Sequence, residues 1–296
     1  MKKIIFSAVL ILAVAFVFFE RAKAPENPKN NNGKNGVNSG VFENPKNNQN
    51  NIIGSNGLIF MDDFSKNLDN WIFEEQSVDR IKIIEDPLSS TNKVLSVNLH
   101  PDDVAAKGNR AEIKFKDKNF EFSNLYGKGP VWYSWKFFIP TDYKDSDLKT
   151  LQIMGQWHQY PPTGEGFDWL ENKYGKTIAP SVSIHYGASG GLSAVNLALV
   201  GDPLKKANNS NPIYFKKGKW NEVKIHINWS LGSDGFVEGF LNGDAFTFGG
   251  GEKHVSGANY LTDRGNYFKL GLYRGHTNIP NTTNTVLFDD VKIWRE

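Results

Sequence analysis

The chain has 296 residues, of which 13% are aromatic, and it contains no cysteine. The lack of cysteine excludes a disulfide scaffold, while the length is sufficient for a domain with a substantial core. Residues 1–24 carry four basic residues and one acidic residue, so 30 basic and 31 acidic residues remain without them. This neutral balance argues against nucleic acid as a partner, because a polyanion requires a strongly basic surface.

The first 24 residues have the composition of a targeting segment. Two lysines precede an apolar run over residues 4–19, and Ala22-Lys23-Ala24 matches a small-x-small cleavage pattern. We therefore expect an exported protein that is secreted or otherwise extracytoplasmic. Because Pro25 directly follows the cleavage pattern, an uncleaved membrane anchor through residues 4–19 is the alternative.

Residues 25–56 are dominated by Asn, Gly, Lys and Pro, and the hexapeptide ENPKNN occurs twice, at Glu26–Asn31 and Glu43–Asn48. Two short copies are too few for a repeat architecture. Since almost no apolar side chain is available for burial, these residues are predicted to form a disordered, Asn-rich linker. The folded domain is then expected over residues 57–296.

Apolar and polar residues alternate through much of residues 57–296, as in Arg110–Phe115 and Ser181–Tyr186. Asn242-Gly243 between two such runs is a strong signal for a two-residue β-hairpin. Strand patterns at both ends of the domain predict that its termini pair in one sheet. No long stretch has helical periodicity, so we predict an all-β fold in which two antiparallel sheets form a sandwich or jelly roll.

The segment Lys149–Tyr160 carries the strongest candidate chemistry. Strand alternation predicts one set of side chains in the core (Leu151, Ile153, Trp157) and another set facing outward (Gln152, Met154, Gln156, His158, Tyr160). An amide that can bind substrate would thus lie beside an imidazole that can transfer a proton. An ordinary exposed strand face is the alternative interpretation.

Other strands of the domain place further polar side chains at outward positions: Arg110, Glu112, Lys114, Ser183, His185, Tyr267, Lys269 and Tyr273. The set offers cations and proton-transfer groups but one carboxylic acid, whereas a glycoside hydrolase normally needs two. It is better suited to β-elimination at a uronic acid, which requires neutralising the sugar carboxylate, removing the C5 proton and protonating the leaving O4. We expect Arg110 and Gln156 at the carboxylate, His158 as the base and Tyr273 as the acid.

Several of these residues also have structural interpretations. Glu112 is expected to orient Arg110 through an ion pair on the same face of the strand. Asp62 and Asp289 lie where the chain termini should meet, and they are candidate ligands for a structural calcium ion, with turn hydrogen bonding as the alternative. Elimination of this kind requires no cofactor.

The motifs resemble those of the heparin-lyase-I-like polysaccharide lyases, which are related to glucuronan and alginate lyases. They occur in the expected order: Arg110-Ala111-Glu112, Gln156-Trp157-His158, Gly218–Val223 leading to Asn228-Trp229-Ser230, Gly235–Glu238 and Tyr267–Arg274. The resemblance implies a concanavalin-like β-jelly roll, elimination chemistry, His158 as the base and Tyr273 as a catalytic tyrosine. The residues expected to contact substrate are Lys269, Glu112, Lys114, His185, Tyr267 and Arg274.

An acidic polysaccharide that contains uronic acid is therefore the expected substrate, and a monomer is the expected state. The sequence has no long basic segment of the kind that would bind heavily sulfated heparin, which argues against a densely sulfated polymer. A non-catalytic carbohydrate-binding module is the alternative function, because the same fold hosts both.

Overall fold

The computed structural model describes residues 57–106, 108–116, 129–145, 152–166, 168–169, 180–187, 190–196 and 208–295. The predicted targeting segment, the linker and Leu151 lie outside these ranges. No helix among the described residues is long and apolar enough to cross a bilayer.

The described residues form seventeen strands and one short 3-10 turn, Gly249–Gly251. The strands are β1 (Leu58–Asp62), β2 (Trp71–Glu74), β3 (Ile81–Asp86), β4 (Ser89–Leu99), β5 (Arg110–Phe115), β6 (Val131–Phe138), β7 (Gln152–Gln159), β8 (Val182–Tyr186), β9 (Gly191–Asn196), β10 (Asn208–Asn209), β11 (Ile213–Tyr214), β12 (Trp220–Asn228), β13 (Phe236–Leu241), β14 (Asp244–Ala245), β15 (His254–Ser256), β16 (Asn266–Tyr273) and β17 (Asn284–Trp294).

Two antiparallel sheets form a β-jelly roll, which confirms the predicted fold class. The first sheet has the order β14-β13-β12-β6-β17-β4-β3, with β1 beside β17 and β15 beside β13. The second sheet has the order β10-β9-β8-β7-β16-β5-β2, with β11 beside β9. Strands that are distant in sequence thus become neighbours, and β7, β16 and β5 lie side by side in the second sheet.

Local sequence patterns account for many of these elements. Buried and partly exposed residues alternate without interruption along β12, as expected for a strand with one face in the core. Phe60 of β1 pairs with Ile293 of β17, so the ends of the domain share one sheet, as predicted. Asn242 and Gly243 have φ angles of 54° and 92° between β13 and β14, as a type I′ hairpin turn requires.

Aromatic side chains fill much of the space between the two sheets. Trp135 of the first sheet and Trp157 of the second are almost completely buried, and their ring centroids lie 6.0 Å apart. Phe268 of β16 stacks on Trp157 with a centroid separation of 5.0 Å. The core assignment of Trp157 is therefore confirmed, and its neighbours Gln156 and His158 point to the other side of the strand.

A β-bulge changes the orientation of residues at the start of β7. Ile153 pairs with His185 of β8, but Gly155 pairs with Ile184, so Met154 is an extra residue between them. Met154 consequently belongs to the core cluster, whereas Ile153 does not, and Gln152 is buried in hydrogen bonds to other side chains. The predicted orientations of these three residues were wrong because strict alternation does not survive a bulge.

Candidate active site

The outer surface of the second sheet collects most of the polar residues identified in the sequence. Lys269 of β16 pairs with Lys114 of β5 on one side and with Gln156 of β7 on the other. Gln156 pairs in turn with Ser183 of β8, so one row of polar residues crosses four strands. Tyr267 lies opposite His158 at one end of this surface, and Tyr273 lies opposite Arg110 at the other. We call this surface the polar face.

Glu112 is the centre of the polar face, and its side chain is only 1% exposed. One carboxylate oxygen accepts a hydrogen bond from Nε2 of Gln156. The other accepts one from Nη1 of Arg110 at 3.2 Å and lies 3.6 Å from Nζ of Lys269. The expected ion pair with Arg110 is present, and the same carboxylate also holds Gln156, so Glu112 links both residues that are candidates for binding a sugar carboxylate.

A second carboxylate, which the sequence reasoning missed, completes the cluster. Oε2 of Glu74 accepts hydrogen bonds from Nζ of Lys269 at 2.5 Å and from Nη1 of Arg110 at 3.3 Å. Glu74 ends β2, whose alternation is weak, and it reaches the site because β2 pairs with β5 and places Glu74 opposite Glu112. Thirty-six residues separate it from Arg110, so no local pattern connects the two.

Opposing effects determine the charge states in this cluster. Burial disfavours the charged form of Glu74, but the attraction of Lys269, Arg110 and Lys114 outweighs it and lowers the pKa of Glu74. Burial likewise disfavours charged Arg110, yet Glu112, Tyr273 and Glu74 raise the pKa of Arg110. The cluster therefore holds ionised groups of both signs at neutral pH.

His158 is partly exposed at the edge of the cluster, two residues from Gln156. Its Nδ1 atom lies 3.3 Å from the backbone oxygen of Gln159. Because a carbonyl oxygen only accepts hydrogen bonds, this contact is a hydrogen bond only when Nδ1 carries the proton, and the lone pair of the neutral ring is then on Nε2. The His158 ring stacks on that of Tyr267, with centroids 5.6 Å apart.

The two tyrosines of β16 have different surroundings. Tyr273 is partly exposed, and the guanidinium carbon of Arg110 lies 3.9 Å from the centre of its ring. Tyr267 is 8% exposed, and burial, followed by the charges of Glu74 and Glu112, raises the pKa of its phenol. The cation that contacts Tyr273 is thus Arg110, whereas the ammonium group of Lys269 is paired with carboxylates.

His185 extends the polar face on β8. Its Nε2 atom lies 2.8 Å from Oγ of Ser183, and its Nδ1 atom is buried without a hydrogen-bond partner among the described residues. Burial lowers the pKa of His185 to about 4, so the ring is neutral at physiological pH. It therefore lacks the basicity expected of a group that removes a carbon-bound proton.

A comparison of the sequence with protein-family models identifies the family of this chain. Residues 63–292 match the model described as polysaccharide lyase, and this match spans nearly the whole sandwich. The chain belongs to the polysaccharide lyase family. None of the curated proteins compared with this lyase matches it significantly in sequence.

Solved structures show the same fold in other polysaccharide lyases. The endo-β-1,4-glucuronan lyase of the fungus Trichoderma reesei superimposes with a TM-score of 0.56 and 14% identity, over 81% of this chain and 96% of the fungal one. Alginate lyase A1-II′, a member of polysaccharide lyase family 7, gives a TM-score of 0.50 and 14% identity, over 76% of this chain and 94% of its own. At these identities the similarity shows that the fold is shared.

Arg274 does not lie on the polar face of the lyase. The residue follows Tyr273 and points to the opposite side of the strand, where only 2% of its surface is exposed. Its Nε atom donates to Oε1 of Gln152 at 2.7 Å, and its Nη1 atom donates to the backbone oxygen of Thr282 at 2.8 Å. The prediction that Arg274 contacts substrate was wrong, because side-chain alternation sends it inward.

The two calcium candidates of the lyase take part in internal hydrogen bonds. Asp62 accepts bonds from the backbone of Phe64 and from Nε1 of Trp71, at 2.9 and 2.8 Å. Asp289 accepts one from Nδ2 of Asn92 at 3.0 Å. Within the described ranges, no group of three or more His, Cys, Asp or Glu side chains is placed to hold a metal ion. These contacts match the alternative of turn and loop hydrogen bonding, and calcium binding stays a prediction.

Proposed function

We propose that this lyase is exported and cleaves a uronic-acid polysaccharide by β-elimination on its polar face. The observation that carries the proposal is the linkage through Glu112, which holds Arg110 and Gln156 together beside the partly exposed His158. A carboxylate-binding pair next to a base is what removal of the C5 proton of a uronate requires.

Arg110 and Gln156 are assigned to the sugar carboxylate. The hydrogen bonds of Arg110 to carboxylates use Nη1, while its buried Nε atom has no acceptor among the described residues. Leaving such a donor unpaired costs about 1–3 kcal/mol. Neutralising the carboxylate makes the C5 proton more acidic, because negative charge moves onto the carboxylate as the proton leaves.

His158 and Tyr273 are assigned to proton transfer. Nε2 of His158 takes the C5 proton, the electrons of the broken C–H bond form the C4–C5 double bond, and the C4–O4 bond breaks. The phenol of Tyr273 gives its proton to the departing O4, which becomes a hydroxyl group. The products are an unsaturated uronate at one new end and an intact sugar at the other.

Backbone register supports separate roles for these two residues. Tyr273 pairs with Ile153, whereas His158 lies five positions further along β7, on the other side of Gln156. Because Met154 is the extra residue of the bulge, the two positions are about four strand steps of roughly 3.3 Å, or about 13 Å, apart along β7. The side chains would therefore approach a sugar at Gln156 from opposite directions, which favours a division of base and acid between them.

The substrate class follows from the charge of the site. Lys114, Arg110 and Lys269 face two carboxylates, so the cluster has only a small positive excess. This supports a polymer with one carboxylate per sugar, such as glucuronan or alginate, over a densely sulfated one. The similarity to a glucuronan lyase and an alginate lyase supports the same choice.

The proposal is tested by incubating the full chain with glucuronan, alginate, heparin, heparan sulfate and hyaluronan, and following the ultraviolet absorbance of the unsaturated product. Absorbance should rise on a uronate polymer, and H158A should abolish the rise while polymer binding is retained. H254A is the matched control, because His254 is an exposed residue of the first sheet. Binding to these polymers without any absorbance change in the wild type would point instead to a carbohydrate-binding module.

A further inference from the structure

Glu112 and Glu74, the two carboxylates that contact Arg110 and Lys269, are held in different ways. Glu112 is 1% exposed and is fixed by Gln156 as well as by the cations. The side chain of Glu74 is 19% exposed, and its hydrogen bonds in the cluster are those to Lys269 and Arg110. Glu74 also lies at the end of β2, the terminal strand in the order of the second sheet. Of the two, Glu74 is the carboxylate that can move away with less disruption.

Glu74 contacts Arg110, which is one of the two residues assigned to the sugar carboxylate. A single oxygen of Glu74 lies 2.5 Å from Nζ of Lys269 and 3.3 Å from Nη1 of Arg110. A uronate bound by Arg110 would bring a second negative charge to the same cations. Two carboxylates that share a site repel one another, so the occupant already present competes with the one that arrives.

We propose that Glu74 is a specificity-determining residue, an internal carboxylate that occupies the Arg110–Lys269 cation pair and competes with the uronate carboxylate of the substrate. The proposal deepens the function proposed above and rests on it. Glu74 lowers the affinity for each uronate. It lowers the affinity more strongly for polymers that carry additional negative groups at this position. When the substrate displaces Glu74, the uronate carboxylate compensates the positive charges of Arg110 and Lys269.

The test compares binding of a glucuronate tetrasaccharide and a mannuronate tetrasaccharide by calorimetry. The proteins are full-length chains that carry H158A to prevent turnover, with and without E74Q. Glutamine keeps the shape of the side chain and removes its charge, so Kd should fall by roughly threefold to tenfold at low salt. This gain should shrink as salt is raised from about 0.1 M to 1 M, because the Debye length falls from about 10 to 3 Å.

Two further variants and a fold measurement complete the experiment. E85Q removes a carboxylate from an exposed position of β3 in the first sheet and should leave Kd unchanged. E74D keeps the charge but shortens the side chain by one methylene, so it should give a smaller gain than E74Q. Near-ultraviolet circular dichroism measures whether each variant is folded. If E74Q does not fold, the binding affinity of E74D tests the proposal.

The proposal would be overturned if neither E74Q nor E74D bound a tetrasaccharide more tightly than the protein that keeps Glu74, at any salt concentration. Glu74 would then be a positioning residue for Lys269 and Arg110. This failure is distinct from failure of the proposed function, which would appear as an absence of lyase activity in the wild type on every uronate polymer.

Discussion

The buried carboxylate of Glu112 offers the most direct test of how the polar face is held together. E112Q preserves the volume of the side chain but replaces an anion that contacts Arg110, Lys269 and Gln156. In the variant, two cations would share the single carboxylate of Glu74. Lys269 is only 3% exposed, so water compensates little of the lost charge.

Removing one partner of a buried ion pair costs about 3–5 kcal/mol, and we expect a value near 3 kcal/mol because Glu74 remains. For a domain of this size each kcal/mol lowers Tm by roughly 2–4 °C, so E112Q should lower Tm by about 6–12 °C. Turnover should also fall, because the amide of Gln offers only one acceptor oxygen where Glu112 offers separate oxygens to Arg110 and Gln156. Thermal unfolding followed by circular dichroism and the absorbance assay on the best polymer measure the two effects.

E222Q is the matched control for this change. Glu222 forms an ion pair with Lys224 at 3.2 Å, but both side chains are more than two-fifths exposed. Such surface pairs contribute at most about 1 kcal/mol, so Tm should change by no more than about 4 °C. The reasoning is refuted if E112Q melts within 2 °C of the wild type and retains normal turnover.

Three further predictions address the catalytic tyrosine, the backbone under the site and acid stability. Y273F removes only a hydroxyl group and should lower turnover about 10²-fold or more, whereas Y267F should cost much less; the reverse order in steady-state assays would identify Tyr267 as the catalytic tyrosine. Gly271 has a φ of 145°, and an added Cβ would lie 2.3 Å from a backbone oxygen of β5, so G271A should destabilise the domain by more than about 2 kcal/mol in urea. G249A, whose Cβ would meet no atom within 4 Å, should change stability by less than about 1 kcal/mol. Since burial lowers the pKa of His185 to about 4 from 6.5, the folded state binds fewer protons than the unfolded state between these values. The free energy of unfolding should therefore fall by on the order of 3 kcal/mol as pH drops through this window, and H185Q should show a flatter profile in urea titrations at pH 4 to 7.

Much of the architecture could be predicted because its causes are local. One face of β12 lies in the core, so every second residue of this strand is buried. The turn at Asn242-Gly243 needs two positive φ angles, which these residue types adopt readily. The outward positions of Arg110, Glu112 and Lys114 also follow from alternation, because β5 has no bulge against β16.

Other features depend on which strands become neighbours. The bulge that turns Met154 into the core arises from the pairing of β7 with β8. The residues near Met154 in the sequence therefore give no sign of it. Arg274 was placed by its position in a family motif, although the alternation that puts Tyr273 outward also sends the next residue inward. These differences concern the side of the sheet that a residue occupies, which changes its role completely.

Sequence by itself determined the fold class, the pairing of the first and last strands and the strands that carry the polar face, since hydrophobic alternation and turn chemistry act between residues close in the chain. Only the tertiary structure decided that Glu74 joins Arg110, Glu112 and Lys269. Lys269 and Glu74 are 195 residues apart, yet their charged groups lie 2.5 Å from each other. Partners at such separation are chosen by strand order and register, and these are set by the packing of the whole core.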